Sequence, residues 1–375
     1  MLIEMSKKKI LFFHFDMQGG GAEKVLVNML KQLNPKKYDI TLQAIFGVGV
    51  NLKDVPRHVH FQCVFRHVFR GFSTVMKLMP PWFWHGLFVR GRYDVEIAYL
   101  ESSPSRILSG CKAKGTKKVS WIHTAFSEKE KILGAYRSQN EAIRCFNQFD
   151  KIVFVSQNAR DAFLKMLPEV TVEKEVLYNI NDFDRIYELA KEPLDIPLPK
   201  ETLNLCAVGR LTPVKGYGRL IMAVAKLRQD IGAHFNLYVI GMGEERRKLE
   251  NLIGENGLQG IVHLLGFKQN PYQFISRMDL CVCSSYREGY STATTEAIAL
   301  GVPVITTAVS GMDEILENGK YGLIVPNTDE GLLEGLMDLL SHPEKIRRYA
   351  EAIKSASRPT TRSFVDKYEE FLDSL

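Results

Sequence analysis

The sequence predicts an α/β protein made of two doubly wound domains that face each other across a cleft. Three observations predict it. Short apolar runs, rich in β-branched and aromatic residues, alternate with helical patterns from end to end, the pattern of parallel sheets covered on both faces. The chain has 375 residues, and at roughly 100–200 residues per domain that is room for two. Between the two alternating series lies Glu192-Pro193-Leu194-Asp195-Ile196-Pro197-Leu198-Pro199-Lys200, whose prolines mark an interdomain linker. The domains are therefore placed at residues 1–190 and 200–355. Ligands of open parallel sheets sit beyond the carboxyl ends of the strands, so two sheets joined by one hinge put the cleft there.

In the first half the expected strands are Lys9–Phe15, Tyr38–Phe46, His58–Val64, Tyr93–Leu100, Lys118–His123, Lys151–Val155 and Glu173–Leu177. Helices are expected at Ala22–Gln32, where Val25, Leu26, Met29 and Leu30 recur at helical spacing, and at Glu128–Phe146 and Gln157–Leu167. In the second half, strands are expected at Leu203–Val208, Phe235–Ile240, Val262–Leu265, Leu280–Cys283, Pro303–Thr306 and Gly322–Val325. The helices between them are Gly218–Gln229, Glu245–Gly254, Thr294–Leu300 and Gly331–Leu340.

Composition is that of an ordinary globular protein, 45% hydrophobic and 25% charged, and the net charge of +6 implies only a weak preference for anionic partners. The six cysteines are scattered without a C-x-x-C pair, which points to reduced thiols and a reducing compartment. The run Ile10–Phe13 is too short for a signal-peptide core, and no stretch approaches the ~18 apolar residues of a membrane span. The expected location is the cytoplasm.

The most informative segment is Ser284-Ser285-Tyr286-Arg287-Glu288-Gly289-Tyr290-Ser291-Thr292-Ala293-Thr294-Thr295-Glu296-Ala297. It leaves a buried run, turns at Gly289 and enters a helix that Ser291, Thr292 or Thr294 can cap. A helix start offers free N–H groups and the positive end of its dipole, which suits phosphate. Glu288 in the turn and Glu296 on the helix bracket that point, and carboxylates accept hydrogen bonds from hydroxyls. A ligand with hydroxyls at both ends and a diphosphate between, such as a sugar nucleotide, fits the layout. The plainer reading makes Glu296 a capping or surface residue and Glu288 a solvated loop residue.

Glu288 and Glu296 form an E-x7-E pattern inside Glu-Gly-Tyr-Ser…Thr-Glu-Ala-Ile-Ala-Leu-Gly-Val-Pro-Val-Ile-Thr. This resembles the signature of the retaining glycosyltransferases of family four, of the bacterial surface-polysaccharide type, whose GT-B fold has two Rossmann-like domains. The likeness extends to Ser310–Ile315 and Tyr321–Val325 downstream, and to Val208–Leu211, Lys215-Gly216 and Val239–Gly243 upstream; the first half matches more loosely. It implies that Glu288 contacts hydroxyls of the donor sugar and Glu296 the ribose, while Tyr290, Ser291 and Thr292 offer amides to the diphosphate. Tyr290-Ser291 stands where the family often has Phe-Gly. The family's C-terminal helix, here residues 360–375, crosses back onto the first domain.

Glycosyl transfer expels a nucleoside diphosphate, so a positive group must meet the charge on the leaving oxygen. Arg210 and Lys215, flanking a strand-to-loop turn, are the candidates. The tripeptide Asp182-Phe183-Asp184 is a weak D-x-D match, and the resemblance implies a metal-free reaction without cofactor. Gly241-Met242-Gly243 is an incomplete dinucleotide fingerprint that suits close backbone approach to a nucleotide. In the first domain, Gln18-Gly19-Gly20-Gly21 opens the first helix, and in the family this loop, here Gly20 and Gly21, lies near the diphosphate and acceptor. His123 ends a strand, and by its context resembles the family histidine that touches the donor sugar; Glu101, at another strand end, is an acceptor-contact candidate.

Residues 57–92 contain Arg57, Arg66, Arg70, Lys77, Arg90 and Arg92, eight Phe or Trp residues, and no Asp or Glu. Basic groups bind anionic head groups and aromatics settle at the interface, so this stretch is expected to form a peripheral contact with the inner face of the cell membrane. No nucleic-acid motif accompanies the charges. The resulting expectation is a hexosyltransferase. It moves a hexose or N-acetylhexosamine from a nucleotide sugar, taken as a UDP-sugar, to a glycan acceptor, a polyprenyl-diphosphate-linked oligosaccharide. A nucleotide-sugar epimerase on the same fold and a non-catalytic glycan- or transferase-binding partner are the competing readings.

Overall fold

A computed structural model describes residues 7–18, 21–125, 132–194, 196–199, 201–231 and 235–375. It holds two parallel sheets in two compact units, residues 1–180 with 362–375, and residues 181–361. The first sheet has seven strands: β1 Lys8–His14, β2 Tyr38–Phe46, β3 His60–Phe65, β4 Val95–Ala98, β5 Lys117–Ile122, β6 Lys151–Phe154 and β7 Glu173–Val176. Their order is β3-β2-β1-β4-β5-β6-β7. The second has six: β8 Leu203–Val208, β9 Phe235–Ile240, β10 Val262–Gly266, β11 Leu280–Cys283, β12 Val304–Thr307 and β13 Gly322–Val325. Their order is β10-β9-β8-β11-β12-β13. Each sheet reverses its direction of growth once, between β1 and β4 and between β8 and β11. That switch point is where the loops diverge and leave room for a ligand.

The strands form because their residues are apolar on both faces, as a sheet covered by helices on each side requires. Ile10 to Phe13 and Phe235 to Ile240 are buried throughout. One core gathers around Phe13, Phe46, Phe146 and Phe163, the other around Leu205, Leu220, Leu237 and Leu336. The C-terminal helix Thr361–Ser374 packs on the first sheet. Tyr368 stacks on Trp121 at 5.6 Å between ring centres, and the Tyr38 hydroxyl donates to Asp373 Oδ1 at 2.6 Å.

The structure differs from the sequence reading in its helices. The expected helix Glu128–Phe146 begins partly outside the described residues, and its well-formed part is Gln139–Phe146. Ser138 caps it by accepting from the Glu141 N–H, so a new helix starts there instead of continuing an older one. A helix at Phe183–Ala190 belongs to the second unit and is capped by Asp182, which accepts from the Arg185 N–H at 3.2 Å. A helix at Pro343–Ser355 begins with proline at a position where the lost N–H has no acceptor anyway. In the 57–92 stretch the aromatics divide. Phe72, Trp84 and Phe88 enter the core, while Phe61, Phe69 and Trp82 are exposed. Among the described residues no helix is long and apolar enough to cross a membrane.

Candidate functional site

In the second unit the switch point lies between β8 and β11, and the loops that follow these two strands build the site. The loop after β8 is tied down from two sides. The Leu211 N–H donates to the Met242 carbonyl at 2.9 Å, and the Tyr286 N–H reaches back to the Val214 carbonyl at 2.8 Å. Ser284 Oγ donates to the Lys215 carbonyl at 3.0 Å. Gly216 takes φ +65°, and a Cβ there would sit 2.1 Å from the Ser284 carbonyl oxygen, so only glycine lets the two loops meet. A Cβ on Gly241 would stand 1.9 Å from the Gly209 oxygen, and one on Gly243 2.3 Å from the Leu211 oxygen. These two glycines are thus required by the backbone of residues 209–211, not by space for a ligand alone.

That stitching delivers Lys215 to Glu288. Lys215 Nζ lies 2.7 Å from Glu288 Oε1, and Ser285 Oγ donates to the same oxygen at 2.6 Å. Both side chains are mostly buried, at 25% and 12% exposure. Among the described residues both bonds fall on Oε1. Burial holds the Tyr217 phenol and the Cys283 thiol above their ordinary pKa values, so both neighbours stay neutral beside the charged pair. Lys215, Glu288, Ser285, Ser291 and Thr294 line one pocket.

Ser291 is the N-cap of the helix Thr292–Ala299, accepting from the Thr294 N–H at 3.3 Å. The N–H groups of Thr292 and Ala293 have no intrahelical acceptor, by their position in the first turn. Glu296 is buried about one turn into the helix, and the Tyr272 hydroxyl donates to its Oε1 at 3.2 Å. Arg210 is exposed on the loop after β8.

A residue the sequence reading missed holds the whole loop. Arg219, buried on the helix Tyr217–Ile231, donates from Nε to the Ser284 carbonyl at 2.8 Å. Its Nη2 donates to the Ser285 carbonyl at 2.6 Å and to Asn327 Oδ1 at 2.9 Å. Its guanidinium lies 3.8 Å from the centre of the Tyr286 ring. The available signal was a lone arginine near the start of an otherwise apolar helix face.

In the first unit, Gly21 opens the helix Gly21–Gln32, and Gly20 lies outside the described residues. His123 follows β5, its ring centre 4.5 Å from that of Tyr99, and its N–H donates to Glu101 Oε2 at 3.0 Å. Glu101 is itself buried, and burial raises its pKa. His14, which the sequence reading did not single out, ends β1 on the far side of Tyr99, 6.1 Å between ring centres. Burial drives its imidazole down to about 4, partly opposed by its bond to the Asp16 carbonyl. Burial and the nearby His14 push His123 to about 3. Both are therefore neutral in the fold.

The sign for stability follows. The unfolded chain takes up these protons near pH 6.5 while the fold refuses them until about 4 or 3. Their contribution is present above pH 6.5 and is lost as pH falls towards 4. For His14 the loss is on the order of 3 kcal/mol, at 1.36 kcal/mol per pKa unit. Urea unfolding between pH 7 and 4.5 should show it, with a flatter profile in His14→Asn. An unchanged profile in that variant would show that His14 contributes nothing to the dependence.

One group of metal-ligating atoms among the described residues, His85, Glu96 and Cys111, lies within 4.8 Å. Burial pulls His85 down, but hydrogen bonds to Cys111 and Glu96 outweigh it and hold the ring up at about 9. A metal bound there would have to displace that proton.

Residues 191–356 match the family model for glycosyl transferases group 1. The chain is 32% identical over 203 residues, 54% of its length, to N-acetylgalactosamine-N,N'-diacetylbacillosaminyl-diphospho-undecaprenol 4-alpha-N-acetylgalactosaminyltransferase of Campylobacter jejuni, of which this covers 52%. It is 29% identical over 180 residues, 48% of its length, to the lipopolysaccharide core biosynthesis glycosyltransferase LpsE of Rhizobium meliloti, covering 51% of that protein. The chain thus spans about half the length of these curated relatives. Among solved structures it is similar to Anabaena HepE in complex with UDP and glucose, with TM-score 0.73 and 20% identity over 98% of this chain and 100% of that one. Sucrose-phosphate synthase from Thermosynechococcus elongatus gives TM-score 0.75 and 15% identity over 98% and 99%. Residues 191–356 therefore belong to the group 1 glycosyl transferases, and the chain that carries them has the GT-B fold of two doubly wound units.

Proposed function

We propose that the protein is a retaining, metal-independent glycosyltransferase that moves a hexose or N-acetylhexosamine from a UDP-sugar to a lipid-linked glycan in surface-polysaccharide synthesis. The observation that carries the reading is the Lys215–Glu288 pair, 2.7 Å apart beside a capped helix start. A carboxylate held on one oxygen offers the other to sugar hydroxyls. The lysine beside it and the exposed Arg210 supply positive charge for a leaving diphosphate. Amides of Tyr290, Ser291 and Thr292 take the phosphates, and Glu296 the ribose. Charge growing on the leaving oxygen is met by Lys215, Arg210 and the helix start, so the reaction calls for no metal or cofactor.

Residues 200–355 bind the donor in this reading and residues 1–190 the acceptor, while Gly20 and Gly21 are assigned to the diphosphate and His123 to the donor sugar. A neutral His123 accepts or donates one hydrogen bond to a sugar hydroxyl without bringing charge. UDP is favoured by the HepE complex, and a diphospho-undecaprenol acceptor by the name of the Campylobacter relative. The exposed Arg66, Arg70 and Arg90 and the exposed Trp82 support the reading of residues 57–92 as a contact for the anionic inner face of the cell membrane, with the enzyme working at the cytoplasmic surface.

A panel of UDP-, GDP- and ADP-sugars tests the site by thermal shift. At 100 times Kd a ligand adds about 2.7 kcal/mol, or roughly 5–10 °C for a unit of this size. The UDP-sugar is expected to give that rise, and Glu296→Ala to remove most of it. No rise with any sugar nucleotide would defeat the proposal, and product formed from donor alone would replace it with an epimerase.

A further inference from the structure

Against the third strand of the first sheet lies a cavity of about 280 Å³ whose walls are nearly all carbon. Phe65, Phe69, Phe72, Met76, Trp84 and Phe88 line it, and Arg90 reaches its edge. The cavity opens to the surface, and its volume exceeds the ~150 Å³ of an apolar cavity that admits benzene. The walls are set rather than collapsed. Phe65 and Phe69 meet edge to face at 5.2 Å, Phe65 and Phe88 at 5.7 Å, and the Trp84 indole N–H donates to the Met76 carbonyl at 2.9 Å.

The segment beside the cavity is held outward. Buried Arg106 donates to the carbonyls of Met76 and Met79, and Arg137 to those of Lys77 and Leu78. Two guanidinium groups thus fix a turn whose Leu78 is 70% exposed. Arg90 lines the cavity, exposed Arg66 and Arg70 each follow one of its lining phenylalanines, Phe65 and Phe69, and residues 57–92 contain no acidic side chain.

We propose that this cavity is a binding site for the isoprenoid chain of the polyprenyl-diphosphate-linked acceptor, drawn in from the bilayer with its anionic end against the arginines. The inference rests on the lipid-linked acceptor proposed above. It adds that the enzyme holds the first part of the chain itself, beyond resting on the membrane surface.

The test uses the full chain with Trp82→Phe, titrated with farnesyl phosphate in solution, so that Trp84 reports from the cavity wall above the constant signal of Trp121, which is buried elsewhere in the core. A saturable change in Trp84 emission is expected, weakened at least tenfold by Val75→Phe, which narrows the mouth at an exposed position. Flotation on vesicles containing anionic phospholipid should be unchanged in that variant. Absence of a saturable change, or an undiminished one in Val75→Phe, overturns the inference. Equal affinity for dodecyl phosphate also overturns it, by assigning the cavity to acyl chains. Loss of wild-type flotation alone, with farnesyl phosphate still bound, counts against the membrane contact and not against the cavity.

Discussion

Glu288→Gln is expected to lower kcat with a UDP-sugar by about 10²–10³-fold, the usual effect of removing one preorganised polar group from a transition-state site. The substitution keeps the shape and an oxygen able to accept from Lys215 Nζ and Ser285 Oγ, now 2.7 and 2.6 Å from the carboxylate. It removes the negative charge, which both orients Lys215 and strengthens any bond to a sugar hydroxyl. Lys215 then sits beside a neutral amide at 25% exposure, free to move towards solvent. Stability should change by only ~1 kcal/mol, because both hydrogen bonds can be remade. An effect confined to the transition state lowers kcat and kcat/KM together and leaves KM alone. Steady-state kinetics with the donor fixed by thermal shift decide it. A kcat within threefold of wild type would remove Glu288 from the chemistry and leave the pair a structural feature.

The elements were legible wherever a single local rule decides them. β8 and β9, Leu203–Val208 and Phe235–Ile240, are read to the residue, because a strand buried on both faces must be apolar at nearly every position. The helix expected at Thr294–Leu300 starts two residues earlier, at Thr292, and of the three possible caps, Ser291, Thr292 and Thr294, it is Ser291 that accepts. The site was legible where motif and chain position coincide, as in the Glu288 turn. It was not legible where a side chain acts across the fold. Nothing near Arg219 in the sequence shows that it reaches carbonyls 65 and 66 residues away. His14 sits in a strand as an ordinary polar end residue, and only the packing of Tyr99 makes it a buried neutral ring. Asp182 had a local signal, a cap before Phe183-Asp184-Arg185, which a chance D-x-D resemblance obscured. The spacing of Gly241 and Gly243 is readable, but what presses on them, the carbonyls of Gly209 and Leu211, belongs to the tertiary structure.

Arg219→Ala is expected to lower stability by roughly 3–5 kcal/mol, since hydrogen bonds to a charged group are worth about 1.5–3 kcal/mol each and two short ones are lost. The Ser284 carbonyl and the Asn327 amide oxygen would lose the Arg219 donor, and the Ser285 carbonyl one of its two donors. Thr307 Oγ1 still donates to the Ser285 carbonyl at 2.6 Å, and Asn327 to that of Tyr286 at 3.0 Å, so the loop keeps two tethers. At 2–4 °C per kcal/mol the melting temperature should fall by roughly 10 °C. The donor site should weaken with it, because Ser285 and Glu288 ride on the released loop. Arg219→Lys keeps the charge but cannot fork to two carbonyls, and it should recover part of the stability and little of the donor affinity. Scanning calorimetry with and without UDP reads both quantities. A melting temperature within ~2 °C of wild type in Arg219→Ala, with the UDP shift intact, would mean that the loop after β11 is held by its remaining bonds. The comparison with Glu288→Gln separates the two roles: one variant keeps the fold and loses rate, the other loses the geometry on which the rate depends.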